Sequence, residues 1–236
     1  MRSSRRGGRS SAAAVAAAAV VAVVLAALLV RSLWTSGASV PPDFGARPPA
    51  QPPAAGHSSG VHDGGPGEAE NASGPAPEPT ALRVPRVSLD AQVVSVGVAH
   101  DGSVEIPGDA GQAGWYRYGP APGARAGSAV LVGHVDDRTG RLGAFAKLYR
   151  VRKGDAVTVA RRDAPPARYQ VTAREVVDRN RLPEEVFRRH GRPVLTLVTC
   201  APPYDREHGG YQRNLLVYAV PVQEPGPGRG SPAQNS

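Results

Sequence analysis

The sequence predicts an all-β fold between residues 81 and 222, a closed barrel of about eight short strands with one or two short helices. Three observations lead there. β-Branched and aliphatic residues recur in short runs, turn signals separate those runs at short intervals, and few windows carry a helical period. Many short strands at regular spacing suit a barrel or a sandwich, and closure favours the barrel because it removes exposed edges.

The expected strands, in order, are 83–86, 92–98, 103–106, 128–133, 156–160, 168–177, 193–200 and 214–220. Tyr169-Gln-Val-Thr-Ala-Arg alternates as a half-buried antiparallel strand does. His100-Asp-Gly-Ser and Arg152-Lys-Gly-Asp are turn signals. Leu195-Thr-Leu-Val-Thr-Cys and Leu215-Leu-Val-Tyr-Ala-Val are apolar enough to be central strands. Helical candidates are 144–149 and 183–189, the second opening on Pro-Glu-Glu as a first turn should.

Other segments have a different character. Residues 1–11 hold Arg2, Arg5, Arg6 and Arg9, and from Ala12 to Val30 every residue is Ala, Val or Leu. As a helix that run would span roughly 28 Å, close to a bilayer core. The charges ahead of it put the N-terminus in the cytoplasm and the rest outside. The expectation is a single-pass transmembrane anchor over 12–30, favoured over a cleaved signal peptide by its length and the lack of a cleavage site. Residues 31–80, rich in Pro, Gly, Ala and Ser, read as a disordered spacer, and 223–236 as a disordered tail.

The 236 residues carry 28 Lys+Arg against 20 Asp+Glu, a net charge of +8. Most of that excess lies in 81–222 and suits anionic surroundings, but scattered arginines on an exported barrel offer no nucleic-acid recognition element. One cysteine, Cys200, excludes an intrachain disulfide framework and a multi-cysteine zinc site. No cofactor is expected.

Cys200 closes an apolar strand, and Ala-Pro-Pro-Tyr-Asp follows at once. Such a thiol is commonly core filler, yet an unpaired thiol outside the cell is a liability unless it is used. A nucleophilic thiol needs a proton partner and an oxyanion donor. His57 and His62 fall in the spacer, His100 and His190 in polar turns, and His208 on a Gly-Gly segment. His134 differs: it follows the strand Ala129-Val-Leu-Val-Gly, a strand-end residue as Cys200 is. Arg213 opens the last apolar strand, from which a guanidinium could return to the thiol; Arg206 is the alternative.

The order Gly114-Trp-Tyr-Arg, Gly133-His-Val-Asp, Gly143-Ala-Phe-Ala-Lys-Leu, Thr199-Cys-Ala-Pro-Pro-Tyr-Asp and Gly-Gly-Tyr211 resembles the sortase transpeptidases of Gram-positive cell walls. Gly-His-Val-Asp and the segment after the cysteine look most like the class F sortases of high-GC actinobacteria. The resemblance covers essentially all of 81–222. It implies that Cys200 attacks the Thr-Gly carbonyl of a sorting signal similar to Leu-Pro-X-Thr-Gly to form a thioacyl-enzyme. It implies that His134 protonates the departing amine and then deprotonates the incoming one. Arg213 would steady the oxyanion, and Thr199 would help position the substrate. The implied partners are exported proteins bearing a sorting signal and an amine acceptor, either a peptidoglycan precursor or a pilin lysine. Two rival readings are an L,D-transpeptidase, against which Leu-Val-Thr-Cys argues, and a non-catalytic wall-binding module.

Overall fold

A computed structural model of the chain describes residues 40–49 and 76–222. The expected cytoplasmic segment 1–11, the anchor 12–30, most of the spacer and the tail 223–236 lie outside the described residues. Among the described residues, no helix is long and apolar enough to cross a membrane.

Eight strands close a barrel: β1 (Pro79–Val84), β2 (Leu89–Val96), β3 (Ala113–Tyr116), β4 (Ser128–Gly133), β5 (Ala156–Arg161), β6 (Ala164–Asp178), β7 (Val194–Asp205) and β8 (Gly210–Pro221). Their order around the barrel is β1-β2-β3-β4-β7-β8-β6-β5. The pairs β2–β3 and β4–β7 are parallel, and the others are antiparallel. The long crossover from β4 to β7, which a parallel pair requires, contains β5 and β6 and two 3-10 helices, Ala144–Arg150 and Glu184–Phe187. These two stand where helices were expected. A third 3-10 turn covers Pro85–Val87.

Two expectations need correction. Residues 103–106 form no strand; only an isolated Val98–Val104 bridge occurs there. The strand in that region is β3, whose Ala113-Gly-Trp-Tyr is too short and glycine-broken to show alternation. The strand carrying Cys200 also does not stop there. β7 runs to Asp205, with its register against β8 broken between Ala201 and Tyr204. Pro202 and Pro203 occupy that irregularity, joined by a cis peptide bond. Proline lacks a backbone donor, and β4 no longer pairs this far along, so the missing N–H groups break no interior ladder.

Apolar residues divide between two faces. Leu131, Leu195, Leu197, Leu215 and Val217 point into the barrel, where Phe145 and Leu148 of the 144–150 helix plug it. Val130, Val132, Val194, Val198 and Leu216 pack outside it with Val186 of the 184–187 helix. Strands β4, β7 and β8 are thus covered on both faces, which is why they read as continuous apolar runs. The buried hydroxyls of Ser128 and Thr196 satisfy each other at 2.9 Å.

A third correction concerns the spacer. Residues 40–49 are docked on β6, and residues 79–80 already belong to β1. Phe44 pairs with Arg174 through two backbone hydrogen bonds, of 3.0 and 2.9 Å. β5 has stopped pairing with β6 beyond Gln170, so this stretch of β6 offers unpaired backbone groups. The Arg174 side chain is buried and donates to the carbonyls of Pro42, Tyr149 and Val151, while its guanidinium lies 4.9 Å from the Phe44 ring centre. Arg47 pairs with Glu175 at 2.8 Å. Gly45 has φ +70, and a Cβ there would stand 2.2 Å from the Thr172 carbonyl, so only glycine fits.

Candidate active site

Parallel pairing brings the C-terminal ends of β4 and β7 to the same edge of the barrel. The register runs from Ser128↔Val194 to Val132↔Val198. Two residues further on, His134 comes level with Cys200. The alignment is fastened one residue earlier, where the buried Thr199 hydroxyl donates to the Gly133 carbonyl at 2.8 Å. Thr199, expected to position substrate, therefore spends its hydroxyl on tying the cysteine strand to the histidine strand. On the other side, β8 passes this edge, with Asn214 opposite Cys200 and Arg213 opposite Ala201. Arg213 Nε donates to the Pro202 carbonyl at 2.6 Å, two residues beyond the thiol.

The three expected residues thus gather at one edge: Cys200 on β7, Arg213 on the neighbouring β8 and His134 immediately after the end of β4. The alternative arginine does not join them: Arg206 is exposed in the 205–210 turn. The other described histidines are exposed as well, with His208 Nδ1 taken up by Asp205 at 2.7 Å.

Local sequence explains how His134 is held. A Cβ on Gly133 would stand 2.6 Å from the Phe145 ring, so the residue before the histidine has to be glycine for the plug to seat. The His134 carbonyl accepts from Phe145 N at 3.1 Å, and its Nε2 lies 2.8 Å from the Pro107 carbonyl. A carbonyl only accepts, so Nε2 carries the proton in that contact and Nδ1 is left to exchange one.

The surroundings of the thiol are polar and of mixed charge. Tyr149 Oη donates to the Cys200 carbonyl at 2.8 Å. Tyr211 Oη, on β8, donates to Asp136 Oδ2 at 2.6 Å and so links β8 to the loop that follows His134. Burial raises the Cys200 thiol above its ordinary pKa, the Asp136 carboxylate raises it further, and the Arg179 guanidinium partly opposes them. Burial, aided by the Cys200 and Asp136 charges, pushes the Tyr149 hydroxyl up to about 12. Tyr211 is raised too, chiefly by burial and then by its hydrogen bond to Asp136. The balance of these effects holds the thiol toward its neutral form. Among the described residues, no cluster of His, Cys, Asp and Glu could hold a metal ion.

Asp136 and Tyr211 stand inside the short motifs Gly-His-Val-Asp and Gly-Gly-Tyr, and nothing local to those motifs marks either as part of the site. Tyr149 and Arg179 carried no signal, because each reaches the site from an element whose position depends on the barrel closing.

The sortase-domain family model matches residues 82–222. The chain belongs to the sortase family. This sortase domain is similar to solved streptococcal sortases. Sortase C1 from Streptococcus agalactiae matches at 22% identity and a TM-score of 0.48, over 61% of this chain and 67% of that one. A pilus-related sortase C of Group B Streptococcus matches at 18% identity and 0.47, over 63% and 69%. Sortase C2 of Pilus Island 1 from Group B Streptococcus matches at 24% identity and 0.47, over 61% and 73%. The search of curated proteins finds no match.

Proposed function

We propose that this sortase is a membrane-anchored cysteine transpeptidase of the class F type found in actinobacteria. It cleaves a sorting signal similar to Leu-Pro-X-Thr-Gly between Thr and Gly and transfers the acyl group to an amine. The observation that carries the reading is the alignment of His134 with Cys200 where the parallel pairing of β4 and β7 ends, with Arg213 on the neighbouring β8 opposite Ala201.

Cys200 is the nucleophile. Because its thiol is held toward the neutral form, attack on the Thr carbonyl is coupled to loss of its proton to His134 Nδ1. The imidazolium then protonates the departing glycine amine, the C–N bond breaks, and a thioester remains. An incoming amine attacks that thioester, the C–S bond breaks, and a new amide forms. Arg213 supplies hydrogen bonds to the oxyanion in both halves, its Nε exchanging the Pro202 carbonyl for substrate. Thr199 acts by keeping the strands of Cys200 and His134 in register. The amide energy is kept in the thioester, so the transfer draws on no ATP.

The apolar run 12–30 behind a basic N-terminus supports a single-pass anchor, with the N-terminus cytoplasmic and the barrel outside the cell. The partners are exported proteins bearing the signal, together with a peptidoglycan precursor or a pilin lysine as acceptor. The test incubates the full chain with a panel of sorting-signal peptides and an amine and reads products by mass. Amide product that disappears in Cys200→Ala supports the reading, and absence of cleavage across the panel overturns it.

A further inference from the structure

Two aspartates follow His134, and the fold uses them differently. Asp137 is spent on its own turn. Its Oδ1 accepts from Thr139 N, Thr139 Oγ1 and Arg141 N at 2.6–3.0 Å, and its Oδ2 accepts from Arg141 Nε at 3.2 Å. These bonds hold Asp137 down to about 2. Asp136 is half-buried and receives one hydrogen bond, from Tyr211 Oη to Oδ2. No described group donates to its Oδ1, and no described cation pairs with it.

The Asp136 Oδ1 is not a buried atom, so it stays open to solvent and to a cation arriving from it. Asp136 lies two residues after the proposed base, and Tyr211, three residues before the Asn214 that pairs with Cys200, fixes it from the β8 side. Its charge is felt at the thiol itself. The nearby cations belong elsewhere: Arg141 to Asp137, Arg179 to the Gly209 carbonyl, and Arg213 to the Pro202 carbonyl.

We propose that Asp136 receives the acceptor amine as its ammonium ion, next to the Cys200 thioester and the His134 base. The inference rests on the transpeptidase reading and names the group that selects its second substrate. An amine reaches the site protonated at neutral pH, and a protonated amine cannot attack. The carboxylate holds it where His134 can remove a proton. The nitrogen then adds to the thioester carbonyl, the C–N bond forms and the C–S bond breaks. Of the two protons the ammonium sheds, one ends on Cys200 and the other leaves through His134 to solvent.

Amide and hydrolysis products share one thioacyl intermediate, so their ratio is blind to the rate of the first half-reaction. In the full chain with a sorting-signal peptide and a subsaturating primary amine, Asp136→Asn is expected to lower the amide-to-acid ratio about threefold or more. It should raise KM for the amine but not for the peptide. Hydroxylamine, uncharged at neutral pH, should show no such fall, and Asp136→Glu should restore most of the ratio for the primary amine. A smaller fall with the primary amine, an equal fall with hydroxylamine, or no recovery in Asp136→Glu overturns the assignment. Hydrolysis of the peptide by the native chain in the same experiment shows that the first half-reaction stands on its own. If native protein yields neither amide nor acid, the transpeptidase reading falls and the Asp136 assignment with it.

Discussion

The edge where β4, β7 and β8 meet and the side of β6 that receives residues 40–49 are built on opposite principles. At the first, strands covered on both faces by Leu, Val and Phe hold His134, Cys200 and Arg213 in one register. At the second, a segment of Pro, Gly and Arg adheres through two backbone hydrogen bonds, one buried guanidinium and an ion pair at the rim. Apolar burial fixes position over many contacts at once, at roughly 25 cal/mol per Å². Backbone pairing of one residue and a partly exposed ion pair fix it with few. The proposed chemistry therefore sits where many apolar contacts set the register.

The greatest effect is expected at the thiol. Cys200→Ala should abolish both transfer and hydrolysis, since the chain has no second thiol to substitute, and mass analysis of peptide products checks it. Turnover within tenfold of the native chain would show that the register of β4 and β7 serves packing alone.

Next comes Arg213→Lys, which keeps the charge and loses the planar fork. Loss of one oxyanion donor costs about 10²–10³ in turnover, so kcat should fall at least tenfold with Tm little changed. Arg206→Lys, in the exposed turn, should leave kcat as it was. If the two variants behave the other way round, the start of β8 does not belong to the site.

The protonation state of the thiol gives a pH test of the same edge. A pKa raised by burial and by Asp136 means that, at a given pH, less of the thiol is thiolate than in a free cysteine. Alkylation of Cys200 by iodoacetamide should be slower than that of a free thiol at neutral and mildly alkaline pH. Its rate should still be climbing where a free thiol has levelled off. A rate plateau below pH 8 would mean that the cations outweigh burial and the carboxylate.

How much of this was legible in the sequence follows from the same contrast. β4, β7 and β8 announced themselves as dense apolar runs, and the glycine before His134 was visible as a letter. That Phe145 requires this glycine appears only once the barrel has closed. Parallel pairing of β4 with β7 left no local mark, because the two strands are joined through a crossover holding two other strands. The level placing of His134 and Cys200 therefore rested on resemblance until the structure showed it. β3 escaped detection because four residues containing glycine carry no period. Residues 40–49 escaped for a different reason: what docks them is the unpaired backbone of β6 and a buried arginine 130 or so positions away, and composition records neither.

Gly133→Val measures how firmly the plug holds the histidine. The branched side chain would have to displace the Phe145 ring, and such overpacking typically costs about 1–3 kcal/mol. Thermal unfolding should register that loss. Because Phe145 N donates to the His134 carbonyl, kcat should fall as well. Unchanged kcat at lowered Tm would separate the plug from the chemistry.

The smallest effect is expected on the β6 side, and it tests the contrast most directly. Arg47 Nε meets Glu175 Oε1 at 2.8 Å and Arg47 Nη1 lies 3.7 Å from Glu185, with about a third of the arginine side chain still in solvent. Solvent screens such a pair, and its net worth is under about 1 kcal/mol. Glu175 keeps a second donor in Tyr218 Oη at 2.7 Å, so removing the arginine does not strand the carboxylate. Arg47→Ala should therefore lower Tm by only about 2–4 °C and leave the transfer rate unchanged. The Phe44–Arg174 backbone pair and the three carbonyls around the Arg174 guanidinium would still hold the segment. A fall of more than about 10 °C, or a loss of kcat, would mean that the ion pair rather than the buried arginine fastens residues 40–49. The two regions would then differ less in kind than their packing says.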